Sequence, residues 1–113
     1  RCYIITPHQK RRFPARVDFH TSIGFLEGGD ARAKTGVRGA GPQAVVTNLC
    51  ILKPNVQGEL ILAALHPGCT FEEVQANTGW QLKQAPQVEV TPAPTPEELR
   101  ILREELDPQR IYI

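Results

Sequence analysis

Two apolar runs on either side of a turn-rich link constrain this chain more than any other feature. Ala44 to Leu52 reads AVVTNLCIL, Glu59 to Leu65 reads ELILAAL, and Pro54-Asn55-Val56-Gln57-Gly58 lies between them. Near-continuous apolar and β-branched runs suit strands buried on both faces, and a link holding Pro, Asn and Gly suits a tight reversal. The pattern predicts a hairpin of two core strands.

Other segments add elements around that hairpin. Cys2 to Thr6 (CYIIT) is a β-rich run stopped by Pro7, which predicts a short buried strand leading into the polar stretch His8 to Arg12. Val17 to Ile23 (VDFHTSI) alternates apolar and polar residues and predicts a half-buried strand. Thr70 with Glu73 three positions later matches a capping box, and Gly79 suits a left-handed C-cap, so a helix of about two turns is expected over 70–79. Pro86, Pro92 and Pro94 make 84–95 an extended, polyproline-like arm. Thr95 and Glu98 form a second capping box, with Pro96 at the first helical position. Leu99, Leu102 and Leu106 then recur at helical spacing until Asp107-Pro108, predicting a C-terminal helix over 96–107. Such a short helix is marginal alone in water, so its leucine stripe must dock on a sheet or another subunit.

The chain has 113 residues, 41% of them hydrophobic, enough for one domain spanning 1–113 and not for two. Thirteen Lys and Arg against twelve Asp and Glu give a net charge of +1, which provides no general attraction for nucleic acid or an anionic membrane. The longest apolar stretches fall far short of the roughly 20 residues a spanning helix needs. The three cysteines, Cys2, Cys50 and Cys69, show no CxxC spacing, so reduced thiols in a cytoplasmic setting are expected. The chain begins at Arg1 and contains no methionine, which predicts a segment of a longer polypeptide.

Gly24 to Pro42 carries six of the nine glycines, with Glu27, Asp30, Arg32, Lys34 and Arg38 among them. No sustained period runs through it, and a long irregular stretch in a small domain is usually a binding loop, a lid or a mobile segment. Gly36, Gly39 and Gly41 can bring backbone N–H groups close to an anionic oxygen, although no strand–GxGxxG–helix context surrounds them. The competing reading is a loop that only shapes a subunit contact. Glu27, before Gly28 and Gly29, reads as a solvated carboxylate in preference to a nucleophile. Lys10, Arg11, Arg12 and Arg16 with Phe13 form a basic cluster, read first as a solvated face and second as a site for phosphates or an acidic partner. His8, His20 and His66 lack ligand spacing, so no metal site is expected. Cys50 reads as a small buried hydrophobe, Cys69 as a more reactive thiol at a helix entry, and Trp80 as a packing anchor.

Four stretches in order are HQKRRF with RVDFHTSIGFLEGGDARAKTGVRGAGP, then AVVTNLCIL, LHPGCTFEEVQANTGW, and TPAPTPEELRILREELDP. Together they resemble the final part of class I coenzyme A-transferase beta subunits, of the glutaconate and 3-oxoadipate CoA-transferase type. The resemblance covers nearly the whole chain. It implies an α/β, three-layer CoA-transferase-like (NagB/RpiA/CoA-transferase) fold, with a mainly parallel sheet, a hairpin and flanking helices. It also implies an enzyme in which a glutamate carboxylate attacks an acyl-CoA thioester and passes through an anhydride to a glutamyl-CoA thioester, before a second carboxylate takes the CoA. In such subunits that glutamate lies in the amino-terminal half, so no catalytic residue is expected in this chain. Coenzyme A is then a substrate, carried as its thioester, and no separate cofactor is implied. Gly36, Gly39 and Gly41 become candidate CoA contacts. The implied partners are the alpha subunit and the amino-terminal part of the beta subunit, in a hetero-oligomer. Two alternatives stay open: a hydrolase subunit that opens a cyclic CoA thioester in steroid degradation, and a non-catalytic subunit-interaction domain.

Overall fold

The computed structural model describes residues 2–111. Five strands form one sheet in sequential order: β1 (Cys2–Ile5), β2 (Pro42–Val46), β3 (Cys50–Pro54), β4 (Leu60–Leu65) and β5 (Gln84–Val90). The three central strands pair antiparallel, and the outer pairs β1–β2 and β4–β5 are parallel. The fold is α/β as expected, but the sheet is mixed where a mainly parallel one was expected: the tight reversals at Thr47 and Asn55 make its three central strands antiparallel, and parallel pairing is confined to its two margins.

The expected hairpin is present as β3 and β4, with Leu52 opposite Leu62. Its turn is built by Asn55, whose side-chain oxygen accepts from the amides of Gln57 (2.9 Å) and Glu59 (3.0 Å). The run Ala44–Leu52, expected to be one strand, is two. Thr47 reverses it: its hydroxyl oxygen accepts from the amides of Leu49 (3.1 Å) and Cys50 (3.0 Å), replacing ladder bonds a straight strand would have made.

Helix α2 (Phe71–Ala76) crosses between β4 and β5 and covers one face of the sheet. Leu52, Leu62, Val74 and Cys50 are fully buried there, surrounded by Phe13, Val45, Leu49 and Leu82. Burying each of the large apolar side chains contributes about 1.5–3 kcal/mol.

Thr70 caps α2 by accepting from the Glu73 amide at 3.2 Å, but the helix ends before Gly79. Gly79 is not a left-handed cap. Its amide donates to the Phe13 carbonyl at 2.7 Å, and a Cβ there would strike that oxygen and the Ala15 nitrogen. The glycine is required by the close passage of the strap 6–14 over the helix end.

Further expectations are corrected. Val17–Ile23 pairs with neither margin of the sheet and forms no strand, leaving Val17 48% and Phe19 80% exposed. The strand Cys2–Ile5 exists but is exposed at the sheet margin. Helix α3 (Pro96–Arg100) has its complete capping box and continues as a wider, π-type turn over Ile101–Leu106, with the Asp107 amide donating to the Leu102 carbonyl. Leu99 and Leu102 are half-buried and Leu106 is exposed, so the leucine stripe is not covered within the described residues. Of the segment 84–95, expected as a polyproline-like arm, Gln84–Val90 is instead the edge strand β5 paired with β4, where the missing N–H of Pro86 is tolerated.

Candidate functional site

The glycine-rich segment is an ordered loop built around a short helix, α1 (Ala31–Lys34), resting on the β3–β4 turn. The Gly29 amide donates to the Gln57 carbonyl at 2.8 Å, and the Phe25 ring lies against both Gly41 and Gly58. Arg32 joins the two limbs of the loop: its Nη1 donates to the Gly24 carbonyl (2.7 Å) and its Nε to the Gly39 carbonyl (3.3 Å). Gly41 has φ +79°, and a Cβ there would lie 3.2 Å from the Phe25 ring and 3.3 Å from Arg32 Nε. Conformation and space both require glycine at that position.

Gly39 and Gly41 line an open cavity of about 520 Å³ together with Arg32, Arg38 and, from β1, Cys2 and Ile4. Gly36 is not among the lining residues, and its amide donates to the Ala33 carbonyl at 3.1 Å. Two arginines beside left-handed glycine backbone make a concave, electropositive surface suited to an oxygen-rich or anionic group. The lining also offers apolar atoms from Ile4, Ile23 and Pro42.

Sequence spacing did not reveal the second constellation. His8 is buried, 3% exposed, and stacks on Phe13 with ring centroids 4.3 Å apart at 9°. Its Nε2 lies 3.0 Å from Thr78 Oγ1, and its Nδ1 is 3.3 Å from Thr47 Oγ1 and 3.5 Å from Cys50 Sγ. The Thr78 hydroxyl already donates to the Val74 carbonyl at 2.8 Å, so His8 must donate to it through Nε2–H. That leaves Nδ1 as an acceptor for the Cys50 S–H, because the Thr47 hydroxyl donates to the Cys50 carbonyl at 3.1 Å. Burial holds His8 below the ordinary histidine range.

Burial pushes the Cys50 thiol up, only partly offset by its hydrogen bond with Thr47. A fully buried neutral thiol is a packing group, as expected, and not a nucleophile. All three cysteines are free, with Cys69 half-buried. His66 is tied on both nitrogens, to Thr91 Oγ1 (2.7 Å) and the Thr47 carbonyl (2.9 Å). His8 and His66 therefore meet at Thr47 as structural groups. His20 is exposed and apart from them.

The remaining candidates lie on the surface. Glu27 is exposed in a separate open groove of about 830 Å³ with Phe19, His20 and Trp80. Lys10, Arg11, Arg12 and Arg16 are exposed while Phe13 between them is buried, so the cluster divides into a solvated rim and a core anchor. Trp80 packs at a tilt against Phe13, with centroids 6.2 Å apart. Among the described residues, no helix is long and apolar enough to cross a membrane.

No family model matches the chain. It is 46% identical over 101 residues to the B subunit of 3-oxoadipate CoA-transferase from Pseudomonas knackmussii, covering 88% of this chain and 39% of that protein. It is 39% identical over 112 residues to the B subunit of glutaconate CoA-transferase from Acidaminococcus fermentans, covering 97% of this chain and 42% of that protein. A shorter match, 44% over 48 residues, joins it to the cholesterol ring-cleaving hydrolase IpdB subunit of Rhodococcus jostii, covering 42% of this chain and 19% of that subunit. The crystal structure of the Acidaminococcus fermentans glutaconate coenzyme A-transferase superposes with a TM-score of 0.87 at 37% identity, covering 98% of this chain and 43% of that one. Rhodococcus jostii IpdAB superposes with a TM-score of 0.74 at 28% identity, covering 96% and 43%. The chain is homologous to these CoA-transferase B subunits and spans about two fifths of their length.

Proposed function

We propose that this homologue of CoA-transferase B subunits is part of an acyl-CoA:carboxylate CoA-transferase that works through a glutamyl-CoA thioester, with the nucleophilic glutamate outside this chain. The observation that carries the reading is the near-complete coverage of this chain by two CoA-transferase B subunits, at 46% and 39% identity. Within the chain, the cavity at Gly39 and Gly41 is the CoA-contact region, where loop backbone and the Arg38 guanidinium group meet phosphate or carbonyl oxygens while Arg32 holds the loop. Gly36 contributes to the shape of the loop. Coenzyme A enters as a thioester substrate, and no further cofactor is required.

An alpha subunit and the rest of the beta subunit complete the enzyme, forming a hetero-oligomer in the cytoplasm. The leucine stripe, half-buried at Leu99 and Leu102 and exposed at Leu106, and the exposed β1 residues Tyr3 and Ile5 support such partners, since parallel sheet margins are ordinarily covered. The match to the ring-cleaving hydrolase subunit supports a second reading, in which water replaces the acceptor carboxylate. Its shorter sequence match and lower structural similarity, TM-score 0.74 against 0.87, rank it below the transferase.

The test is acyl transfer by the co-expressed alpha and full-length beta subunits, with several acyl-CoA donors, carboxylate acceptors and a water-only control. CoA transfer with ping-pong kinetics is expected, and none from residues 1–113 alone, because positioning cannot replace the group that forms the covalent intermediate. Hydrolysis without transfer would move the protein to the second reading. Turnover by residues 1–113 that Glu27→Gln abolishes would overturn the assignment of the nucleophile elsewhere.

A further inference from the structure

We propose that Arg32 is a positioning residue for the Gly39–Gly41 turn and thereby sets the affinity of the intact enzyme for CoA; this rests on the CoA-contact reading above. A turn with left-handed glycines at 39 and 41 has unusual conformational freedom, which must be lost when a ligand is gripped by its backbone. Arg32 removes part of that freedom in advance. It reaches from α1 to the Gly24 carbonyl at 2.7 Å and the Gly39 carbonyl at 3.3 Å, and its Nε lies against Gly41, so one rigid fork spans both limbs of the loop.

The other charged side chains of the loop do not do this. Asp30 and Lys34 pair with each other at the surface, 3.0 Å apart, and Arg38 lines the cavity with no comparable pair of bonds to the backbone among the described residues. Among the described residues Arg32 has no carboxylate partner, and its two backbone bonds use two of the five N–H groups of a guanidinium. Its charge therefore stays at the cavity wall while its planar geometry holds the turn. A lysine ammonium is a single point and cannot span both carbonyls.

The experiment compares wild-type, Arg32→Ala and Arg32→Lys in the assembled enzyme. It measures the Kd for CoA by calorimetry, KM and kcat with one acyl-CoA, and amide exchange at Gly39 to Gly41. Arg32→Ala is expected to raise Kd and KM about tenfold, the loss of roughly one charge-assisted hydrogen bond, and to leave kcat within about twofold. Exchange at the turn should quicken while the amides of Leu52 and Leu62 keep their protection, and Arg32→Lys should recover only part of the affinity. If Arg32→Ala unfolds the core, Arg32→Gln carries the same comparison, because it keeps a planar donor and much of the length. Unchanged Kd and unchanged exchange would overturn the proposal, as would full recovery by lysine. Faster exchange at unchanged Kd would leave a loop clamp with no part in CoA affinity and would overturn it too. A wild-type enzyme that does not bind CoA would overturn the underlying reading instead.

Discussion

The Nε2 of His8 lies 3.0 Å from Thr78 Oγ1, a residue 70 positions later, and its Nδ1 lies 3.3 Å from Thr47 Oγ1. One imidazole thus ties the strap after β1 to the β2–β3 reversal and to the end of α2. The His8 amide adds a bond to Asn48 Oδ1 at 2.7 Å, and the Phe13 carbonyl accepts from Gly79 at 2.7 Å. Both limbs of the strap are pinned, which holds β1 beside the cavity at Gly39 and Gly41.

Stability should fall as pH drops below the ordinary histidine range. Burial lowers the folded-state pKa of His8, so between that value and the ordinary value of 6.5 the unfolded chain binds the extra proton and the folded chain does not. Folding stability therefore rises with pH through that window and is fully present above it, with a slope from this group of at most about 1.4 kcal/mol per pH unit. Urea midpoints from pH 5 to 8 check this. His8→Gln should lower the midpoint at pH 8 and flatten the slope; an unchanged slope would mean that another group titrates.

Thr47→Val keeps the shape of the side chain and removes its oxygen. The amides of Leu49 and Cys50 would lose their acceptor at a site only 6% exposed, at a cost of about 1–3 kcal/mol for each group left unpaired. Denaturant unfolding should show a loss of at least about 2 kcal/mol. A loss below about 0.5 kcal/mol, within the range of ordinary surface substitutions, would mean that water or another group reaches those amides.

Two glycines should respond to alanine for different reasons. Gly79→Ala puts a methyl group against the Phe13 carbonyl and the Ala15 nitrogen, an overpacking cost of about 1–3 kcal/mol, and should quicken amide exchange along 6–14. Gly36→Ala meets nothing within 4 Å but must hold φ +71°, a backbone cost of about 1–2 kcal/mol. Its effect should stay local to the loop. Equal, global loss of protection in both variants would contradict the distinction.

The terminal helix should separate stability from assembly. Leu106 is 71% exposed, so Leu106→Ser should change the stability of this chain by less than about 0.5 kcal/mol. Leu52→Ala, at a fully buried site, should cost about 2–5 kcal/mol. If the leucine stripe meets a partner in the assembled enzyme, Leu106→Ser should weaken subunit association measured by sedimentation. Unchanged association, with the stripe still exposed in the assembly, would end the docking reading.

Local sequence determined the elements whose causes are local. Thr95 and Glu98 are three residues apart, and the capping box they encode forms as written, with Thr95 N donating to Glu98 Oε2 at 2.7 Å. The Asn55–Gly58 turn and the β3–β4 pairing follow from turn chemistry between two apolar runs. Resemblance along nearly the whole chain located the fold, and glycine density marked the loop. Tertiary structure decided what depends on residues distant in sequence. Thr47 reads as one more β-branched residue in an apolar run, and becomes a reversal because its hydroxyl can cap two amides while His8 and His66 close around it. Gly79 reads as a helix cap and is instead a contact with a strap more than sixty residues earlier. Val17 to Ile23 has the alternation of a strand without a strand's neighbour, and alternation alone buries nothing. Periodicity reports which side of an element is apolar; only the packed fold supplies the surface and the hydrogen-bond partners that decide whether that side is used.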